Sequence, residues 1–204
     1  MTTALYEYDY SMIFGKFDVL VIDPPWQVAD CPYNTQSLSQ ISKLQMPAAE
    51  KAHVFIWTTQ KYLPDAIRML SEVWELDYRC TFVWHKPSGR QPSFLPQYNC
   101  EFCLYATKGK PRFVDTTAFQ TCFSAPVMEH SGKPEEFYDT LRRVTAGRRI
   151  DMFNRREIEG FEGWGLEEGF HPTKSTKEVD GVIYNERAKY GIIKQKQLAR
   201  KGGQ

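Results

Sequence analysis

Val19, Leu20, Val21 and Ile22 follow one another without a polar interruption. A continuous aliphatic and β-branched run of this kind predicts a strand covered on both faces. Similar short runs predict strands at Phe17 to Ile22, His53 to Trp57, Arg79 to Trp84, Glu101 to Ala106 and Arg149 to Phe153. Between them the period lengthens. Apolar residues at 63, 66, 67, 70, 73 and 74 predict an amphipathic helix over 63–74. The segment KPEEFY, from Lys133, opens a second helix reaching about Val144. Proline lies near its first turn, Phe137, Leu141 and Val144 fall along one side, and Gly147 ends it. Strands alternating with helices imply an α/β domain with an open, mainly parallel sheet. The stretch KPSGRQPSFLPQ, from Lys86, is rich in turn formers and predicts irregular backbone, and Lys108-Gly109-Lys110 predicts a turn. After Gly160 the pattern weakens, and only VDGVIYNE, 179–186, predicts a further short edge element.

The first strand ends abruptly in DPPW. Pro24 lacks an N–H and confines Asp23 to extended backbone, and Pro25 confines Pro24 in the same way. Asp23 therefore stands at a stiff strand tip. In open α/β sheets ligands gather beyond the carboxyl ends of the strands. A carboxylate there could ligate a metal, act as a general base, or accept hydrogen bonds from an amino group. No second Asp or paired His stands near it in sequence, which argues against a metal. The Pro24 carbonyl would be a second acceptor, and acceptors beside a flat ring such as Trp26 would suit the exocyclic amine of a nucleobase. The other reading is that Trp26 only caps the core.

Composition adds three constraints. Hydrophobic residues make up 42% and charged residues 25% of 204, which suits one globular domain. The apolar runs are too short to span a bilayer, so no membrane association is expected. Five cysteines, one pair of them spaced Cys100-x-x-Cys103 without a second pair, predict reduced, buried thiols rather than a disulfide framework or a zinc site. The net charge of +1 conceals an asymmetry. Residues 187–204 hold six basic side chains and no acid, leaving 20 basic against 25 acidic residues over 1–186. This tail is either a phosphate-contacting arm or a solubilising terminus.

DPPW, then CPYNTQSLSQISKLQMP, VFIWTT, TFVWHKP, EFCLYATKGKP, EHSGKPEEFYDTLRRVTAGRRIDMFNRR and GFEGWGLE, in this order, resembles the MT-A70 family of adenine-N6 methyltransferases. The match runs from about Phe17 to Glu167. The resemblance implies a Rossmann-like class I methyltransferase fold with helices on both faces of the sheet. It also implies a permuted motif order, in which the catalytic motif precedes much of the cofactor site. S-adenosylmethionine would be the cofactor, with no metal. Residues 1–186 would form the methyltransferase domain and 187–204 its basic tail.

By the same resemblance Asp23 and Pro24 would hold the adenine amine, with Pro25 and Trp26 shaping the pocket. Tyr33, His85 and Lys86 match the substrate side. Asp23, Lys133, Asp151, Phe153, Asn154 and Arg155 match the cofactor side. Leu166 stands where many relatives have asparagine, and Met128 where relatives often have arginine. The implied reaction is methyl transfer to N6 of adenine, in DNA in preference to RNA. The loops at 27–50 and 85–99 would read the nucleic acid. A non-catalytic nucleic-acid-binding partner on the same fold is the alternative, and a small-molecule N-methyltransferase a less favoured third. A homodimer and a heteromeric partner both stay open. The implied setting is the cytoplasm of a bacterial cell or of a phage-infected host.

Overall fold

A computed structural model describes residues 13, 15–28, 35–90, 93–127, 132–154, 156–165, 176–179 and 182–185. The run from Val19 to Ile22 lies in strand β1 (Phe17–Ile22), and these four residues have no exposed surface. Fully burying such side chains contributes roughly 1.5–3 kcal/mol each, which makes β1 the anchor of the fold. It pairs in parallel with β2 (Ala48–Thr58) on one side and with β6 (Arg149–Met152) on the other. Outward from β2 come β4 (Tyr98–Lys108), β3 (Asp77–Arg90) and β5 (Cys122–Ser124), and outward from β6 comes β7 (Glu162–Trp164). The order across this seven-stranded sheet is β5-β3-β4-β2-β1-β6-β7. β4 is antiparallel to both of its neighbours, and the other pairings are parallel.

Helices cover both faces. α1 (Leu38–Ile41) and α2 (Leu63–Glu72) contribute Ile41, Ala66, Met69 and Leu70 to one core, with Leu20, Ile22, Val54 and Ile56 from the sheet. α3 (Glu135–Val144) buries Phe137, Tyr138, Leu141 and Val144 against Val19, Val21, Phe55 and Trp57 on the opposite face. The alternation within β1 and β2 thus feeds two separate cores. This is the α/β Rossmann-like arrangement expected from the sequence.

The structure corrects several expectations. The helix expected over 63–74, α2, stops at Glu72, and its buried face includes Met69, while Ile67 and Val73 are exposed. The segment from Lys86 is less irregular than its Pro and Gly content suggested. β3 continues to Arg90, because a register shift between His85 and Arg90 takes Pro87, which has no N–H to donate, out of the ladder. The supposed loop at 27–50 contains α1, fixed by a capping box in which the Ser37 side chain accepts from the Gln40 backbone N–H, and β2 begins at Ala48. β5 and β7, each three residues long, gave too short a pattern to read. Residues 182–185 form strand β9 (Val182–Asn185), paired with β8 (Thr176–Val179) in a separate two-stranded sheet rather than on the edge of the large one. Among the described cysteines, all free, Cys103 is buried but Cys122 is exposed, so buried thiols are not the general case.

Candidate active site

Asp23 lies immediately past the end of β1, with its backbone N–H donating to the Met152 carbonyl of β6 at 3.2 Å. Asp151, one residue before Met152, ends up at the same edge of the sheet. α3 starts there too, preceded by Lys133 and Pro134. Together Asp23, Lys133, Tyr138, Asp151, Phe153 and Asn154, with Gly132, Arg156 and Ile158, line a narrow cleft open to solvent. The prolines after Asp23 end the pairing of β1, and the carboxylate at its tip faces this cleft.

The antiparallel direction of β4 matters here. It brings the N-terminal half of that strand, and with it Glu101, to the edge where the parallel strands end. Lys133 Nζ sits 3.0 Å from Asp23 Oδ2 and 3.0 Å from Glu101 Oε2. The second Glu101 oxygen, Oε1, accepts from Lys86 Nζ. Each lysine also lies over an indole: Lys133 is 5.3 Å from the Trp57 ring centroid and Lys86 4.7 Å from that of Trp84. Charges of alternating sign therefore run from β3 through β4 to the tip of β1. Burial by itself would raise the Glu101 pKa, but Lys133 and Lys86 outweigh it and hold the carboxyl at about 2.

Asp151 behaves in the opposite way. It is 4% exposed, and burial followed by the charge of Asp23 raises its pKa to about 8. The Tyr138 hydroxyl donates to Asp151 Oδ2 at 3.2 Å. Burial, and then the Asp151 charge, push the Tyr138 phenol well above its ordinary range. Phe153 follows β6 in a left-handed conformation, with φ of 63°. Its N–H donates to the Trp164 carbonyl at 2.5 Å, and its ring meets Trp164 edge to face at 5.3 Å. Gly165 is required beside it, since a Cβ there would stand 2.6 Å from Phe153 Cα.

Not every residue implied by the resemblance joins the cleft. Trp26 is only 3% exposed, its ring stacks on Tyr62 at 5.3 Å, and its indole N–H donates to the Trp57 carbonyl at 2.9 Å. The ring is thus packed in the core. Nor is the Pro24 carbonyl free, because the Trp26 backbone N–H donates to it at 2.7 Å in a tight turn, which leaves one lone pair for another donor. The Pro25 carbonyl accepts from Gln36. His85 is exposed and shares a hydrogen bond with Ser124, while Lys86 connects to Lys133 of the cleft through Glu101. Asn154 lines the cleft, its amide donating to the Arg156 carbonyl. Tyr33, Met128, Arg155, Leu166 and residues 187–204 lie outside the described residues.

Three cleft-side residues escaped sequence reasoning. Glu101 had one available signal, an acid opening an apolar strand. Tyr138 lay within the KPEEFY run, but no role was read for it. Arg156, which donates to Glu135 Oε2 at 2.6 Å and to the Lys133 carbonyl at 3.3 Å, had none. Among the described residues no group of three or more His, Cys, Asp or Glu side chains is placed to hold a metal ion, and no helix is long and apolar enough to cross a membrane.

Residues 17–167 match the family model described as MT-A70. The chain is 30% identical over 154 residues to the N(6)-adenosine-methyltransferase subunit METTL3 of Danio rerio, covering 70% of this chain and 26% of that protein. It is 31% identical over 159 residues to a putative N(6)-adenosine-methyltransferase MT-A70-like protein of Medicago truncatula, covering 70% and 25%. A third relative, the Type II methyltransferase M.MunI of Mycoplasma sp, is 26% identical over 183 residues, covering 74% of this chain and 78% of that one. The chain thus spans about a quarter of the length of the first two and most of the third.

Proposed function

The chain belongs to the MT-A70 family, and from that premise we propose that it transfers a methyl group from S-adenosylmethionine to N6 of adenine in DNA. The observation that carries this reading is the Asp23–Lys133 pair, a carboxylate and an ammonium 3.0 Å apart in the lining of one cleft.

The donor set fits the cofactor. Its amino-acid end is a zwitterion, and Lys133 can bind the carboxylate while Asp23 accepts from the ammonium. The Asp151 carboxyl, in the lining of the same cleft, would accept from ribose hydroxyls. Phe153 and Asn154 supply an apolar ring and an amide to the same wall. The cofactor brings an electrophilic sulfonium methyl.

What the protein supplies is orientation and charge. The amine of adenine is a weak nucleophile because its lone pair is delocalised into the ring. Hydrogen bonds from N6 to the Asp23 carboxylate and to the remaining lone pair of the Pro24 carbonyl localise that pair on nitrogen. They also stabilise the positive charge that develops as the N–C bond forms. Asp23 can then take the proton that N6 loses. Holding the reacting atoms in line supplies much of the remaining rate gain. In a duplex the adenine must first leave the stack.

The match to 78% of a Type II methyltransferase supports DNA as substrate. The adenosine-methyltransferase relatives favour RNA as the second reading. Tritiated methyl transfer onto single- and double-stranded DNA and RNA, followed by nucleoside analysis, tests both. N6-methyladenine recovered from DNA is the expected result. Label confined to RNA selects the second reading. No transfer to either, together with no cofactor binding, leaves a non-catalytic binding protein.

A further inference from the structure

Glu101 is the only acid within β4 (Tyr98–Lys108), and its carboxylate spans two lysines from different elements. Oε2 is 3.0 Å from Lys133 Nζ, in the segment leading into α3. Oε1 accepts from Lys86 Nζ, on β3. Only 22% of the Glu101 side chain is exposed, with 18% of Lys86 and 8% of Lys133. Lys133 is itself shared, since Asp23 Oδ2 is also 3.0 Å away. Four charges thus alternate in sign, so each stands beside an opposite one. Removing one negative charge from such a partly buried row leaves two ammonium groups facing a single carboxylate.

We propose that Glu101 is a positioning residue that holds Lys133 between itself and Asp23 and, through its other oxygen, couples the position of Lys86 on β3 to the cofactor cleft. This rests on the cofactor reading given above. Two competitions produce the coupling. Lys133 divides its attraction between Asp23 and Glu101, and Glu101 divides its own between Lys133 and Lys86. When Lys86 turns to another anion, such as a nucleic-acid phosphate, Glu101 draws more strongly on Lys133. Lys133 then draws away from Asp23, freeing that carboxylate for an incoming amine. β3 carries this signal because Lys86 lies close to the register shift after His85, where the strand departs from its ladder with β4.

The test is calorimetric titration of the full chain with S-adenosylhomocysteine, for the wild type, E101Q, K86M and the double variant. E101Q should weaken binding about tenfold, because Lys133 loses the charged anchor that Glu101 provides. K86M should change binding several-fold in the wild-type background and not at all in the E101Q background. E101D, which keeps the charge on a shorter arm, should fall between E101Q and the wild type. Wild-type affinity in E101Q overturns the proposal. So do K86M effects of equal size in both backgrounds, since independent contributions mean no coupling. Should E101Q fail to fold by circular dichroism, K86M decides alone, and unchanged affinity there overturns the proposal. A wild type that binds no S-adenosylhomocysteine instead removes the cofactor reading, and this inference falls with it. The two failures are therefore distinguishable by the wild-type titration.

Discussion

The indole N–H of Trp26 donates to the backbone carbonyl of Trp57 at 2.9 Å, tying the DPPW turn to the end of β2. This bond settles how the tip of β1 is held. Asp23 and the two prolines emerge from a strand with no freedom to drift, because the residue after them is locked to the neighbouring strand and stacked on Tyr62. The aromatic position in this motif is therefore an anchor that fixes the carboxylate before it.

Trp26→Phe keeps the stacking with Tyr62 and removes the hydrogen bond. A buried carbonyl losing its donor costs about 1–3 kcal/mol, so thermal unfolding should move down by several degrees. Cofactor affinity should change little. Differential scanning calorimetry with a parallel titration checks both. Normal stability with abolished substrate binding would return Trp26 to the pocket.

Asp23→Ala removes the acceptor that meets charge developing on N6. Turnover should fall by more than about 10²-fold, on the order of 3 kcal/mol. The measurement is methyl transfer at saturating cofactor and substrate. Half of wild-type turnover in D23A would place the chemistry elsewhere.

Lys133→Met keeps a long stem over the Trp57 ring and removes the ammonium shared by Asp23 and Glu101. S-adenosylhomocysteine affinity should fall at least tenfold, or about 1.4 kcal/mol. Calorimetric titration reads this directly. An unchanged affinity would mean that the cofactor's carboxylate is held by some other group.

Asp151 gives a pH signature. Its pKa is raised from 3.8 to about 8 in the folded chain, chiefly by burial. The native state therefore holds this proton more tightly than the unfolded state does. The stability associated with it is fully present below the unfolded value and is lost as pH rises through about 8. Asp151→Asn keeps an oxygen for the Tyr138 hydroxyl and never ionises. Relative to wild type, D151N should gain stability progressively between about pH 4 and pH 8 and then level off, by on the order of 1 kcal/mol or more. Urea unfolding at pH 4.5, 6.5 and 8.5 checks the trend, and an advantage that shrinks with rising pH would contradict it.

The sequence by itself determined the frame. Continuous apolar runs defined β1 and the centres of β2, β3, β4 and β6, most plainly in β1, whose residues Val19 to Ile22 are buried on both faces. DPPW placed a stiff carboxylate at a strand tip through the missing N–H and fixed φ of proline. The motif order pointed to the family and to Lys133, Asp151, Phe153 and Asn154, all of which line the cleft around Asp23.

Only the tertiary structure decided what each of these groups meets. Whether Trp26 faces a ligand or the core depends on Tyr62 and on the Trp57 carbonyl, both far away along the chain. The place of Glu101 depends on the antiparallel direction of β4, which local patterns do not encode, because alternation reads the same in either direction. The short strands β5 and β7 exist because a neighbouring strand offers an open edge, and three residues carry no period of their own. The opposed titration of Glu101 and Asp151 has the same origin. Two carboxylates with similar intrinsic acidity shift in opposite directions because one meets two lysines and the other is buried near a like charge.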